Sequence, residues 1–166
     1  GEKLHDTQET LGVQELLQLG RKIEMELVPA SPVKLFFDYP LAFRPLSRLF
    51  NGEGNGACGI LGILGVLSTG HYALCGIGEN VPELVFGQVG VDSLEQVWTK
   101  HPQLVSLHEG LPDRLKGVCS RCLMKRRCLG SCIAQNYYRS GGLWAPFWFC
   151  EAAEKAGLFP ESRLSG

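Results

Sequence analysis

The sequence predicts an α+β fold in which a small β-hairpin and several short helices surround metal-binding cysteines. Hydrophobic residues make up 45% of the 166 residues and charged residues 20%, a balance typical of a packed globular chain. Many of the 21 glycines lie between Gly52 and Gly90, where they let the backbone turn tightly. The seven cysteines are too many for one tetrahedral site, so we expect two metal centres, or one centre and spare thiols.

The first 50 residues predict a helix followed by a strand. Apolar residues over 11–27 recur mostly at steps of three or four, as on one face of a helix. Residues 33–37 form an apolar run that Asp38-Tyr39-Pro40 stops, which is typical of a short buried strand. A helix and a strand in this order either end a larger α/β domain or pack only on each other.

Residues 59–75 predict a β-hairpin. The first strand covers 60–67, the turn 68–70 and the returning strand 71–75. Gly70 supplies the positive φ that such a turn needs. We expect this hairpin to bring Cys58 and Cys75 together at its open end.

Short elements are predicted for the rest of the chain, in the following order. A strand is predicted at 84–86, and a capping box at 92–95 opens a helix that runs through Trp98. His101-Pro102 marks a break, after which residues 103–116 are predicted to be helical with an interruption at 110–112. Two more helices are predicted at 132–138 and 150–155.

The block 119–132 carries the strongest local signal, Cys-x2-Cys-x5-Cys-x3-Cys. A Cys-x2-Cys pair places two sulfurs on one turn, and the five-residue loop lets Cys128 reach the same centre. Cys132 either shares a helix face with Cys128 or projects toward a different centre, and the spacing does not decide between them. Neither zinc ribbons nor bacterial ferredoxins use this spacing. Iron–sulfur clusters, structural zinc and unligated core thiols therefore all remain open.

Charge and aromatic residues around this block point to a shielded anionic centre. Seven Lys and Arg residues and no acidic residue lie between Arg114 and Arg139, so cations can offset thiolate charge; a solvated basic loop is the alternative. The aromatic run 144–149 before Cys150 is interpreted as a hydrophobic plug rather than a peptide groove. A net charge of −1 gives no argument for nucleic acid or membrane partners.

Nothing in the sequence predicts secretion or a membrane span. The N-terminus is polar, and Gly62 and Gly65 break the longest apolar run. An odd number of cysteines without a secretory signal argues against a disulfide framework, so we expect the reducing cytoplasm. The chain starts with Gly rather than Met, and we expect it to be part of a longer protein.

With Cys58, Gly70 and Cys75, the full pattern becomes Cys-x11-Gly-x4-Cys, a gap, Cys-x2-Cys-x5-Cys-x3-Cys, a second gap and Cys. It resembles the seven-cysteine motif of the SPASM domain, the C-terminal extension of radical S-adenosylmethionine enzymes that mature peptides and proteins. The resemblance covers about residues 58–150.

The resemblance implies two auxiliary [4Fe–4S] clusters, with Cys132 crossing over between the two parts of the motif. The first cluster would be held by Cys58, Cys75 and Cys132. The second would be held by Cys119, Cys122, Cys128 and Cys150.

Two features depart from the family. Sulfatase-maturing members have a further cysteine six residues after the first, where this chain has Leu64. The first cluster would therefore have either an open iron or a non-cysteine ligand. Glu53 and His71 are candidates for that ligand only by proximity in sequence, and a solvated surface Glu and a strand His are the favoured interpretation. The Cys-x3-Cys-x2-Cys motif of the catalytic core is absent, so S-adenosylmethionine would bind only in a missing N-terminal core.

These considerations predict three parts. Residues 1–50 would be the remnant of a partial (β/α) barrel with a linker, residues 51–157 a two-cluster domain, and residues 158–166 a tail. We expect an auxiliary [4Fe–4S] domain that transfers electrons to or from a substrate radical, binds substrate, or does both. The expected partners are a peptide or protein substrate and an external electron donor or acceptor. This part alone would not be catalytic. The alternatives are a structural zinc module that acts as an interaction platform and, less favoured, a small ferredoxin-like carrier.

Overall fold

The computed structural model of the chain describes residues 10–35, 37, 39–50 and 58–165. In these ranges short helices accompany one three-stranded antiparallel sheet, as expected for the α+β class. The helices are α1 (Val13–Lys22), α2 (Val28–Ala30), α3 (Leu46–Phe50), α4 (Leu94–Lys100), α5 (Pro102–Gly110), α6 (Gly117–Arg121), α7 (Lys125–Cys128), α8 (Ile133–Ser140) and α9 (Trp148–Lys155). The strands are β1 (Gly65–Val66), β2 (His71–Ala73) and β3 (Val85–Gln88).

The predicted N-terminal helix is present and packs on the core. Helix α1 buries Leu17 and Gly20, continues as a π-helical turn over Ile23–Leu27 and ends in α2. Gly20 permits close packing, because a Cβ there would lie 2.3 Å from the ring of Tyr39. The helix therefore docks onto the segment that follows it.

Glu24, in the π-helical turn, is a buried carboxylate with two cationic neighbours. Its side chain is 3% exposed, and it lies 3.1 Å from Arg48 and 3.6 Å from Arg44. Removing a carboxylate from water is costly unless positive charge compensates it. This ion cluster fixes the segment around Arg44 against the N-terminal helix.

The predicted strand at 33–37 is wrong at the residues that the structure describes, which have no regular structure there. A strand needs a neighbour for its backbone groups, and here an arginine side chain replaces that neighbour. Arg44 donates hydrogen bonds to the carbonyl oxygens of Phe37 and Tyr39, each at 3.0 Å. The rings of Phe37 and Tyr39 stack 6.1 Å apart.

The predicted hairpin is present but shorter than expected. Strands β1 and β2 pair with Gly65 opposite Ala73, and β2 pairs with β3. The turn is closed by the N–H of Gly70, which donates to the carbonyl of Leu67, and Gly70 has a φ of +81°. Residues 60–62 form a turn instead of extending β1, since the Gly62 N–H donates to the Gly59 carbonyl at 2.8 Å.

The later helices follow the predicted order, with two corrections. The helix predicted to resume after 110–112 and to run to 116 is wrong, because residues 111–114 form turns and residues 115–116 have no regular structure. The other correction concerns a cap. Helix α4 begins after Ser93, whose side chain makes no capping hydrogen bond, so the predicted capping box is wrong. Asp92 instead accepts a hydrogen bond from the Gln88 N–H at 2.8 Å and fastens the turn after β3. The breaks at His101-Pro102 and near Gly110 lie where they were predicted.

Candidate metal centres

Four cysteines line one cavity in the helical part of the chain. They are Cys119 in α6, Cys122 just after α6, Cys128 at the end of α7, and Cys150 in α9. We call this set the four-thiol cavity. Helices α6 and α9 pack against each other, which brings Cys150 to the other three across a gap of more than 20 residues in sequence.

The other walls of the cavity come from distant parts of the chain. Residues 40–42 from the N-terminal part and Phe159 near the C-terminus line it, together with Leu115, Val118 and Phe147. These side chains are apolar, and the cavity volume is only about 20 Å³, room for about one water. The four cysteines thus share a small and largely apolar space.

The predicted aromatic plug is only partly in contact with this cavity. Of the aromatic residues between 144 and 149, Phe147 lines the cavity. Trp144 instead stacks under the guanidinium of Arg114 at 4.4 Å, and Trp148 under Arg139 at 5.0 Å.

Burial keeps the thiols of the cavity protonated in the absence of metal. Loss of solvent raises the pKa of Cys119 to about 11 and that of Cys128 to about 12, and it raises the pKa of Cys150 further. Neighbouring thiols contribute in the same direction: Cys119 and Cys128 both raise the pKa of Cys150. Any metal that binds here as a thiolate complex must therefore displace protons.

Backbone N–H groups point at the sulfur atoms of the cavity. The N–H of Phe147 donates to Sγ of Cys119 and that of Met124 to Sγ of Cys122, each at 3.4 Å. Such donors favour the thiolate over the thiol and oppose the effect of burial on the pKa of both cysteines. They are also a means by which a protein tunes an iron–sulfur centre.

Two cations act on this cavity, and one of them was not foreseen. Lys125 and Arg163 both lower the pKa of Cys122, although burial is the larger influence and the pKa is raised overall. Other members of the predicted basic run have different partners: Arg121 pairs with Glu154, and Arg126 lies 3.6 Å from Asp113. The basic run is therefore only in part a counter-charge for the thiols.

The remaining three cysteines lie near one another at the sheet. The pKa of Cys58 is raised first by burial and then by the charges of Cys132 and Cys75, so all three belong to one electrostatic group. We call it the three-thiol group. Each of its residues is partly exposed, in contrast to buried Cys119, Cys122 and Cys150 of the cavity.

A left-handed turn separates the two sets of thiols. Helix α7 ends at Cys128, and the next three residues, 129–131, all have positive φ (52°, 78° and 60°). Cys132 then caps α8, its Sγ accepting a hydrogen bond from the Gln135 N–H at 3.4 Å. Cys128 and Cys132 therefore do not share a helix face, and each faces a different set of thiols.

Candidates for a fourth ligand in the three-thiol group are less well placed. Leu64, at the position of the family's further cysteine, is partly buried and packs on the core. Nδ1 of His71 lies 2.9 Å from the Thr69 hydroxyl at the turn end of the hairpin. His71 is the first residue of β2, whereas Cys75 lies two residues after that strand ends at Ala73. Glu53 lies outside the described residues.

The thiols do not form a ready-made site for one ion. Within the described part of the chain, no group of three or more His, Cys, Asp or Glu side chains is arranged to hold a metal ion. The chemistry of the four-thiol cavity nevertheless fits a thiophilic centre, because its lining includes four thiols and no carboxylate or imidazole. Its volume is below that of a four-iron core, so loading requires the side chains to move apart.

In comparisons with models of protein families, with curated proteins and with solved structures, we found no match to the chain. The likeness to the SPASM motif therefore rests on the cysteine spacing. Among the described helices, none has both the length and the apolar composition required to cross a bilayer.

Proposed function

We propose that the chain is an auxiliary domain that binds two [4Fe–4S] clusters in a radical S-adenosylmethionine enzyme that matures peptides, proteins or cofactors. The four-thiol cavity would hold one cluster and the three-thiol group the other. The catalytic S-adenosylmethionine chemistry would belong to a core outside this sequence, in the cytoplasm. The partners would be a peptide or protein substrate and an electron donor or acceptor.

The grouping of the seven thiols is the observation that carries this proposal. The motif divides its cysteines into a set of four and a set of three that interleave in sequence. In the structure Cys119, Cys122, Cys128 and Cys150 line one cavity, while Cys58 interacts electrostatically with Cys75 and Cys132. This grouping supports the division that the motif implies, in which Cys128 and Cys132 belong to different sets although they are only four residues apart.

An iron–sulfur cluster would supply one-electron transfer to or from a substrate radical, or an iron that binds substrate. The chain supplies the environment. Phe147 and Phe159 give the four-thiol cavity apolar walls, and the N–H groups of Met124 and Phe147 would stabilise thiolate charge. The more exposed three-thiol group, one thiol short of four, is the better placed to meet a substrate.

Structural zinc is the second candidate, because four thiols also suit a tetrahedral zinc site. Buried neutral thiols agree with either metal, and the small cavity would have to open less for a single zinc ion than for a four-iron core. A zinc module would bind partners and carry no electron. It would hold one or two zinc ions and would lose its fold on chelation.

Metal and sulfide content after anaerobic reconstitution with iron and sulfide tests the proposal. Two clusters require about eight iron atoms and eight sulfides per chain, in brown protein. Colourless protein that holds only zinc after the same treatment would contradict it and would favour the zinc module. Air must be excluded, since oxidation of free thiols would mimic the loss of a site.

A further inference from the structure

The C-terminal segment 159–165 folds back onto the cysteine loop that holds Cys122. Cys122 and Leu164 form an antiparallel bridge. On one side the Leu123 N–H donates to the Arg163 carbonyl at 2.9 Å, and on the other the Ser165 N–H donates to the Arg121 carbonyl at 2.8 Å. Cys122 is therefore held between two backbone hydrogen bonds to the chain's last residues.

The side chain of Arg163 extends this contact to the opposite wall of the four-thiol cavity. Its Nε donates to the Ala42 carbonyl at 3.2 Å, and its terminal nitrogen donates to the Arg44 carbonyl at 3.1 Å. Ala42 lines the cavity. A single residue thus joins the loop of Cys122 through its backbone and the wall at 40–42 through its side chain.

The segment that accepts hydrogen bonds from Arg163 is itself held in place by other contacts. Arg44 lies 3.6 Å from the buried carboxylate of Glu24, and its own side chain holds the carbonyls of the segment before it. A planar guanidinium has several N–H donors in fixed directions and can donate to two carbonyl oxygens at once. A lysine ammonium lacks this fixed pair of donors. The contact therefore depends on arginine and not on positive charge alone.

Arg163 also brings a fixed positive charge to the cavity. Its guanidinium donates to the carbonyl oxygen of Ala42, a residue of the cavity wall, and to that of Arg44, and in these hydrogen bonds it meets no carboxylate. Reduction of a four-thiolate [4Fe–4S]2+ centre adds negative charge, so a cation nearby favours the reduced state.

We propose that Arg163 is a positioning residue of the four-thiol centre, which clasps the Cys122 loop to the wall at 40–42 and raises the reduction potential of the cluster bound there. This inference rests on the proposed function. Arg163 and the last residues of the chain, which would otherwise be a tail beyond the domain, then become part of the site.

Three variants separate the clasp from its charge. Arg163→Met removes both, and Arg163→Lys keeps the charge but not the fork. Arg126→Gln removes a cation from the same loop at an exposed position near Asp113. The potentials of the two centres are measured by redox titration followed by electron paramagnetic resonance. We expect Arg163→Met to lower the equilibrium constant for reduction of the four-thiol centre tenfold. For one electron this is a decrease of about 59 mV in the reduction potential.

The three-thiol centre should keep its reduction potential in Arg163→Met. The potential of the four-thiol centre in Arg163→Lys should lie between the values for Arg163→Met and the unmodified chain. In Arg126→Gln it should equal the value for the unmodified chain. An unchanged potential in Arg163→Met, or an equal shift in Arg126→Gln, overturns the proposal. If the potential in Arg163→Lys equals that of the unmodified chain, the two hydrogen bonds of the guanidinium do not contribute to the potential, and this part of the proposal is wrong.

Hydrogen exchange of the metal-free protein tests the clasp independently of any cluster. The amides of Leu123 and Ser165 should exchange at least tenfold faster in Arg163→Met than in Arg126→Gln, because the bridge at Cys122 opens more often. Equal exchange rates overturn the clasp. If the unmodified chain binds no iron, the proposed function fails, and this measurement still decides whether Arg163 holds the loop.

Discussion

The four-thiol cavity and the three-thiol group use the same chemical group in opposite surroundings. The cavity has four converging thiols, apolar walls from three parts of the chain and two nearby cations. The three-thiol group lies beside the sheet, with each cysteine partly exposed and with Leu64 at the position of the further cysteine in the SPASM motif of sulfatase-maturing enzymes. Residues far away in sequence, and not the cysteine spacing, therefore determine which set of thiols is shielded from solvent and which set is exposed to it.

The largest expected effect is the loss of one centre at a time. Cys150→Ser and Cys75→Ser should each lower the iron content from about eight to about four atoms per chain. The remaining iron should differ in lability. In Cys75→Ser it lies in the closed cavity and should resist a chelator, whereas in Cys150→Ser it lies in the open group and should be removed quickly. Equal rates of iron loss in the two variants would contradict a difference in solvent shielding between the two sets of thiols.

A fourth thiol in the open group should reduce the difference between the two centres. Leu64→Cys should slow chelator removal of iron from the three-thiol group by about tenfold, a change of about 1.4 kcal/mol in the barrier. Ile63→Cys is the matched control, because Ile63 is exposed whereas Leu64 packs on the core. The comparison of iron-release rates decides this, and an equal gain from Ile63→Cys would show that Leu64 does not face the centre.

Alkaline pH should destabilise the metal-free cavity. The folded-state pKa of Cys119 is raised from 9.0 to about 11 by burial, so its contribution to stability is complete below pH 9 and is lost as the pH rises toward 11. The loss for this one group is about 1 kcal/mol between about pH 8 and about pH 10. Urea unfolding of the unmodified chain and of Cys119→Ser at both pH values isolates it. Parallel pH dependence in the two proteins would contradict the assignment.

A further prediction concerns the turn between the two sets of thiols. Gly130 has a φ of +78°, and a Cβ there would lie 3.0 Å from Leu115 and 3.1 Å from Ile133. Gly130→Ala should lower the free energy of unfolding by about 2 kcal/mol, from backbone strain and crowding together. Gly141→Ala, with a φ of +69° and open space around the Cβ position, should cost only about 1 kcal/mol. Equal costs would mean that the turn is not tightly packed.

Local signals predicted the elements of the fold better than its long-range contacts. Gly70 gave the hairpin turn correctly, because positive φ is a local requirement. The strand predicted at 33–37 was wrong, since a strand needs a partner that an apolar run does not reveal, and here Arg44 takes that place.

The sequence indicated candidate ligands for the site but not their surroundings. The spacing identified the seven cysteines but left open where Cys132 faces. The structure answers this through a left-handed turn at Leu129, Gly130 and Ser131, of which only the glycine is a recognisable signal. Arg163 and Phe159 had no local signal, because their role comes from contacts with residues more than 30 positions away.

Iron content of two double variants tests the division of the thiols most directly. Cys58→Ser combined with Cys132→Ser changes only the three-thiol group, and anaerobically reconstituted protein should keep about four iron atoms per chain. Cys58→Ser combined with Cys128→Ser changes both sets and should keep close to none. The same iron content in both double variants, or more iron in the second than in the first, would contradict two separate centres with Cys132 crossing between the two parts of the motif.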